Sequence, residues 1–260
     1  MTQLTDARPA EKARKPLIDF VRGLAVLMMI AYHTAYFADY NGLADVPLFE
    51  SDFWFYSPRV IVSLFMLCSG ASLYLSCRDG IRWGRYLRRL GILSLLAGGI
   101  TLGTWIFFRE NFIFTGILHC AAGASILVLP FLTAPLIRRP WIALGAGAAL
   151  IVLSRLNILP NLPPHIEGVV SMDYIPVLPW AAPVFIGVFL GSLAAAAPSN
   201  MPGSLKNDAD APGGIIPLPR FYGNPVSKAV LFLGRRSLLV YFIHIAIIFG
   251  ITMGIAEMLR

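Results

Sequence analysis

The chain has 260 residues, of which 57% are apolar and 13% charged, and its formal net charge is +7. Soluble domains carry about 25% charged residues, so this composition excludes an ordinary soluble domain. The basic residues cluster in short segments between long apolar runs. We therefore attribute the positive charge to orientation in a membrane and expect no nucleic-acid partner.

Long apolar runs predict an all-α integral membrane protein, a bundle of about seven transmembrane helices. A spanning helix needs ~20 mostly apolar residues. Polar Asp19 and Arg22 lie inside the first run, which argues against a cleavable signal peptide. The fifth candidate is short and rich in Gly and Ala. The seven candidates are 17–37, 53–77, 89–108, 112–137, 141–154, 177–197 and 237–258.

The distribution of Lys and Arg predicts the orientation of the bundle. With the N-terminus in the cytoplasm, the inner segments hold 17 of the 21 basic residues, and the C-terminus lies outside. The charged residues of the first outer loop are all acidic: Asp39, Asp45, Glu50 and Asp52. The basic residues left on the outer side are Arg59, Arg109, Arg155 and Arg260.

The same pattern divides the chain into four parts. Residues 1–16 form a polar cytoplasmic tail, 17–197 hold the first six helices, 198–236 form a cytoplasmic loop, and 237–260 hold the seventh helix. Within the loop, 198–228 is rich in Pro, Gly, Asn and Asp, which predicts a mobile linker.

The first helix carries three ionisable residues, Asp19, Arg22 and His33. Eleven residues separate Arg22 from His33, so they fall within ~20° of one face and ~16 Å apart along the axis. Asp19 lies ~40° to the other side. Such a stripe faces a bundle interior or a water-filled cleft. The alternative is a surface ion pair between Asp19 and Arg22, with His33 at the outer headgroups.

Four other polar positions within or beside the apolar runs have two interpretations each. His119 and His244 are either hydrogen-bonded core histidines or groups that contact a substrate. The run 69–72 (Ser-Gly-Ala-Ser) either packs helices closely or lets a cofactor chain pass the backbone. Asp173 either binds a polar substrate or caps a helix.

An arginine cluster lies on the predicted cytoplasmic side. Arg82, Arg85 and Arg89 share one helical face, and Arg88, Arg235 and Arg236 are candidates to join them. Guanidinium groups bind phosphates in a bidentate manner. Anchoring on anionic lipid is the competing interpretation.

Several segments resemble the transmembrane acyltransferases related to heparan-alpha-glucosaminide N-acetyltransferase, including short bacterial relatives. No single piece is specific, but the six follow in the family's order. The segments are LIDFVRGLAVLMMIAYH, LFMLCSGASLYLS, RYLRRLGIL, FTGILHCAAGASIL, DYIPVLPWAAPVFIGVFLG and LGRRSLLVYFIH.

The resemblance implies acetyl transfer from cytoplasmic acetyl-CoA to an acceptor, expected to be a sugar or glycan hydroxyl or amine, outside a bacterial inner membrane. His33, His119, Asp173 and His244 match family positions. Eukaryotic sugar N-acetyltransferases of this family have their catalytic histidine in the first outer loop, where residues 34–52 here contain none. This departure counts against glucosamine as the acceptor.

The resulting mechanism has His33 as general base or transient acetyl carrier. Asp39 is expected to orient its ring, with Asp45 or Asp173 as alternatives. The sequence does not single out an oxyanion stabiliser, and His119, Arg59 and Tyr32 are all candidates. The expected catalytic residues are His33, Asp39 and His119. The expected substrate-binding residues are Arg59, Asp45 and Asp173, and those expected to bind acetyl-CoA are Arg22, Arg85, Arg88, Arg89, Arg236 and His244.

The expected partners are membrane lipid and a carbohydrate acceptor, with a homodimer as one option. No metal is expected, because Cys68, Cys77 and Cys120 show no ligand spacing and are interpreted as small core residues. The rival hypothesis is a small proton- or solute-coupled transporter or flippase. The absence of a recognisable internal repeat argues against that rival.

Overall fold

The computed structural model describes residues 16–135, 138–160, 171–196 and 224–259. These parts of the chain form helices and contain no β-strand. In chain order the helices are α1 Pro16–Tyr40, α2 Asp52–Cys77, α3 Trp83–Phe107, α4 Ile117–Leu127, α5 Leu129–Thr133, α6 Pro140–Arg155, α7 Val177–Trp180, α8 Ala182–Ala196, α9 Pro225–Arg235 and α10 Ser237–Leu259.

Five segments are long and apolar enough to cross a membrane: α1, α2, α3, α7 with α8, and α10. The helices α4 and α6 are apolar but shorter. The predicted fourth span, 112–137, is interrupted because α4 begins only at Ile117 and Pro130 starts a new helix after Val128. The chain is a multi-pass α-helical membrane protein, while the count of about seven spans and the sides of its termini stay predictions.

Glycines join α2 and α8 at backbone distance. A Cβ on Gly70 would lie 2.0 Å from the carbonyl oxygen of Val184, and one on Gly187 would lie 2.2 Å from that of Leu67. Helices in a membrane associate through small residues of this kind. The 69–72 run therefore serves close packing at Gly70, whereas its two serines have a different task, described below.

Helix α9 lies within 198–236, where the composition predicts only a loop. Asn224 accepts a hydrogen bond from the backbone N–H of Val226 (3.0 Å), and Pro225 occupies the first turn. An Asn cap followed by Pro is a helix-start signal that the composition of the linker obscured. Gly234 and Gly23 let α9 and α1 meet closely, with the sequence order of the two helices reversed across the contact.

Helices α1 and α10 run side by side in the same direction. Asn41 Nδ2 donates to Thr252 Oγ1 (3.0 Å), and the rings of Phe37 and Phe249 lie 5.3 Å apart. One further turn along the interface, His33 faces His244. This alignment brings residues 211 positions apart into one site.

Candidate functional site

A cavity of about 1070 Å³ opens at the end of the bundle where α2 ends and α3 begins. Small-molecule pockets usually measure ~300–1,000 Å³, so there is room for a large ligand. Asp19 is the one acidic residue among the described residues that line it. Seven arginines line it as well: Arg22, Arg78, Arg82, Arg85, Arg88, Arg89 and Arg235.

The cavity keeps a strong positive charge because Asp19, its one carboxylate among the described residues, is shared by two of the arginines. Arg22 Nη1 lies 3.3 Å from Asp19 Oδ1, and Arg235 Nε lies 3.7 Å from Asp19 Oδ2. Arg22 also donates through Nη2 to Ser72 Oγ at 2.8 Å. The expected ion pair between Asp19 and Arg22 therefore exists, but it lies on the wall of the cavity.

Arg89 extends into the bundle without a carboxylate partner among the described residues. Its Nη2 donates to Ser69 Oγ (2.8 Å) and its Nη1 to Ser125 Oγ (3.1 Å). A guanidinium inside a protein is costly unless an anion compensates its charge. The two serine hydroxyls hold the group in place without neutralising it, which favours an anionic ligand.

The structure sorts the expected acetyl-CoA-binding residues into two groups. Arg22, Arg85, Arg88 and Arg89 line the cavity. Arg236 and His244 do not: Arg236 is exposed and stacks on the ring of Phe232 at 5.2 Å, and His244 lies in the α1–α10 interface. The lining also includes polar residues that are absent from the expected set, among them Arg78, Arg82, Arg235, Ser69, Ser72 and Tyr241.

The second part of the site is the pair of His33 and His244. Nδ1 of His33 lies 2.9 Å from the carbonyl oxygen of Met29 and 3.3 Å from Nε2 of His244. Nδ1 of His244 lies 2.7 Å from the carbonyl oxygen of Tyr241. Since a carbonyl oxygen only accepts, both Nδ1 atoms carry the proton when the rings are neutral.

This assignment leaves the other nitrogen of His33 available as a base. Nε2 of neutral His33 has a lone pair and no hydrogen-bond partner in the described part of the chain. When it takes a proton, the Nδ1–H bonds to Met29 and to His244 strengthen because the donor becomes charged. The geometry therefore suits a residue that receives a proton at Nε2.

Of the acidic residues expected to orient His33, Asp39 serves the loop that follows α1. Asp39 Oδ1 accepts a hydrogen bond from the backbone N–H of Val46 (3.0 Å), which fixes the turn after α1. Asp45 is exposed in that turn. Within the described residues, no carboxylate is hydrogen-bonded to His33. Arg59 is exposed, and its guanidinium carbon lies 3.9 Å above the ring of Phe55.

His119 has partners for both of its ring nitrogens. Nδ1 accepts from the backbone N–H of Gly116 (3.1 Å), and Nε2 pairs with Thr101 Oγ1 (3.1 Å), whose own proton goes to the carbonyl oxygen of Ile113 (2.7 Å). His119 is the third residue of α4, so it closes the start of that helix. This arrangement favours the structural interpretation of His119.

Asp173 lies at the start of the same helix. Oδ2 of Asp173 lies close to Gly116, 2.8 Å from the position that a Cβ would take on that glycine. The backbone N–H of Ile117 donates a hydrogen bond to the Asp173 carboxylate. Burial nevertheless raises the pKa of the Asp173 carboxyl to about 6, outweighing that hydrogen bond. Of the two interpretations of Asp173, the capping role matches these contacts.

Tyr241 connects the cavity to the histidine pair. Its side chain lines the cavity, and its ring centroid lies 5.8 Å from that of His244. The residue is only 9% exposed. The sequence gives one signal for this link, the spacing of three residues between Tyr241 and His244, which puts both on one face of α10.

A comparison with protein families finds one match over most of the chain. The model for the catalytic region of heparan-alpha-glucosaminide N-acetyltransferase matches residues 14–246. The matched range contains the arginine cavity and both members of the histidine pair. Neither curated proteins nor solved structures give a match.

Proposed function

This chain belongs to the heparan-alpha-glucosaminide N-acetyltransferase family, and from that premise we propose a transfer reaction across a bacterial inner membrane. The donor is cytoplasmic acetyl-CoA, and the acceptor is a sugar or glycan hydroxyl or amine at the outer face. The observation that carries the proposal is the charge of the cavity, whose described lining residues include seven arginines against one aspartate. Membership of an acetyltransferase family does not favour the transporter or flippase hypothesis.

The arginines supply the binding site for the donor's phosphates. Arg85 and Arg88 lie on the first turns of α3 at the cavity, and Arg89 extends further inward. Guanidinium forks suit phosphate oxygens, whereas a lysine would act as a point charge. Because Arg89 has serine partners and no carboxylate partner among the residues that the structure describes, a bound phosphate would compensate its charge. The inner part of the cavity, with Leu118 and Ala121, suits the apolar and amide-bearing arm of acetyl-CoA.

His33 acts on the acceptor. Nε2 of His33 removes the proton from the acceptor hydroxyl or amine as that group attacks the acetyl carbon. The Nδ1–H of the same ring stays bonded to Met29 and His244, so the ring keeps its orientation as it becomes charged. The alternative is that Nε2 itself takes the acetyl group first. Both routes use the same nitrogen.

The acceptor side is the outer end of α1 and the loop that follows it. Asp45 and Arg59 are exposed there and offer a carboxylate and a guanidinium to the hydroxyl groups of a sugar. Asp39 shapes this loop through Val46 rather than acting on His33. We keep Asp45 and Arg59 as acceptor-binding residues in the proposal.

The experiment is turnover of labelled acetyl-CoA by purified protein, in detergent with a panel of glycan and lipid acceptors. Wild type is compared with His33→Ala and with Thr34→Ala, a neighbouring exposed position whose hydroxyl bonds only to the carbonyl oxygen of Ile30. The proposal predicts a loss of ~100-fold or more in kcat for His33→Ala and little change for Thr34→Ala. Equal turnover in the three proteins would remove His33 from the mechanism.

A further inference from the structure

Tyr241 is a buried residue of the cavity wall whose hydroxyl is not fully enclosed and has no hydrogen-bond partner among the described residues. Buried tyrosine hydroxyls normally have one. Tyr86, the other buried tyrosine in the described part of the chain, follows the rule, since its hydroxyl donates to the carbonyl oxygen of Ser125 at 2.9 Å. An unpaired phenol on the wall of a ligand cavity points to a partner that arrives with the ligand.

We propose that the Tyr241 hydroxyl donates a hydrogen bond to the carbonyl oxygen of the acetyl thioester and stabilises the oxyanion that forms during transfer. The inference rests on the proposed function and assigns a role that the sequence left open. Tyr241 has the right position for it. It borders the cavity that holds the donor, and its ring lies next to His244, the residue that holds His33.

The other candidate donors are less well placed. Arg59 is exposed and stacked on Phe55. His119 uses its Nε2 on Thr101 and its Nδ1 on the backbone of Gly116. Tyr32 lies outside the cavity lining, in an aromatic group with Trp54, whose ring centroid is 6.2 Å away. Among these groups, Tyr241 alone combines a free hydroxyl with contact to the cavity.

The transfer step balances with these residues in place. The acceptor oxygen or nitrogen forms a bond to the acetyl carbonyl carbon, and the carbonyl π electrons move onto the oxygen, which the Tyr241 O–H stabilises. The acceptor proton goes to Nε2 of His33. When the oxyanion collapses, the carbon–sulfur bond breaks with its electron pair on sulfur, and His33 returns the proton to give the free thiol of CoA. Tyr241 keeps its own proton throughout.

The test compares Tyr241→Phe with the matched control Tyr86→Phe. Each change removes one hydroxyl from a buried tyrosine, but the Tyr86 hydroxyl serves only the backbone of α4. Loss of one oxyanion donor typically lowers kcat by ~100-fold or more. We expect that loss for Tyr241→Phe with a CoA dissociation constant within about twofold of wild type. We expect an unchanged kcat and a lower melting temperature for Tyr86→Phe.

A readout apart from turnover comes from the infrared carbonyl band of bound ¹³C-labelled acetyl-CoA, recorded in a His33→Gln background to keep the thioester intact. A hydrogen bond from Tyr241 shifts this band to lower frequency, and Tyr241→Phe should abolish the shift. An unshifted band, or a Tyr241→Phe enzyme with wild-type kcat, overturns the role assigned to Tyr241 and leaves the proposed function standing. Wild-type protein that neither binds CoA nor consumes acetyl-CoA overturns the proposed function and this inference with it.

Discussion

Nε2 of His244 lies 3.3 Å from Nδ1 of His33, although the two residues are 211 positions apart in the chain and lie on different helices. His244 is itself fixed by the carbonyl oxygens of Val240 and Tyr241, at 3.1 and 2.7 Å. The pair therefore orients His33 through a neutral imidazole where many enzymes use a carboxylate. A neutral partner suits a low-dielectric interior, in which a second charge would be costly.

The first prediction concerns that pair. His244→Leu removes one of the two acceptors of the His33 Nδ1–H and leaves only the carbonyl oxygen of Met29, so it should lower kcat by roughly 100-fold, near the lower end of what a positioned base contributes. His244→Gln places an amide oxygen near the position of the lost nitrogen and should restore part of the rate. The measurement is kcat with acetyl-CoA at saturating concentration. Equal rates for the Leu and Gln variants would show that His244 serves packing only.

The second prediction concerns the cavity arginines. Arg89→Gln and Arg85→Gln each remove a guanidinium from the cavity, and Arg236→Gln removes one outside it. A charge-assisted hydrogen bond contributes ~1.5–3 kcal/mol, so each cavity variant should weaken CoA binding by roughly 10-fold or more. Arg236→Gln should leave binding unchanged.

Calorimetric titration of CoA into purified protein measures the difference. If the arginines only anchor the protein on lipid, CoA affinity should be the same in the Arg85→Gln and Arg236→Gln variants as in wild type. That outcome would contradict the assignment of the cavity.

The third prediction concerns the contact between α2 and α8. Gly70→Ala places a Cβ 2.0 Å from the carbonyl oxygen of Val184, so the helices must separate. Overpacking of this kind costs ~1–3 kcal/mol. Gly254→Ala is the matched control, because nothing lies within 4 Å of its Cβ position on α10. Thermal unfolding in detergent should show a lower melting temperature for Gly70→Ala only; equal melting temperatures would refute the close packing.

The fourth prediction concerns Asp173 and pH. Its carboxyl titrates near 3.8 in the unfolded chain and at about 6 in the fold. Between these values the native state binds more protons than the unfolded state, so the free energy of unfolding falls as pH rises from about 4 to about 6 and then levels off. Asp173→Asn should lack this component. Melting temperatures of both proteins across that range measure it, and parallel curves would contradict the shifted pKa.

The helix pattern and the Arg22–His33 stripe were accessible from the sequence because both follow from periodicity within one helix. Four of the six residues expected at the CoA site line the cavity for the same reason, since their arginines share the faces of α1 and α3. The contacts of His244 and Tyr241 depend on how α10 aligns with α1, and a single sequence does not contain that alignment.

Two further differences from the expected site have local causes. The chain turns at Arg236, between α9 and α10, so Arg235 lines the cavity and Arg236 faces outward. The start of α4 at Ile117 rather than at residue 112 makes His119 a capping residue. For His119, a shift of the helix boundary by a few residues changed its role, and boundaries are the least certain part of a sequence-based prediction. For Arg236, the cause is the unexpected helix α9, which ends at Arg235, since α10 begins at Ser237 as predicted.

The most direct test of transfer across the bilayer is a sidedness experiment in proteoliposomes of uniform orientation. Labelled acetyl-CoA is supplied only on the side where the arginine cavity opens, and the acceptor is enclosed on the other side. The account predicts labelled acceptor in the enclosed compartment, with free CoA appearing outside and no transfer by His33→Ala. Label that reaches the acceptor only when both substrates share one compartment would contradict it.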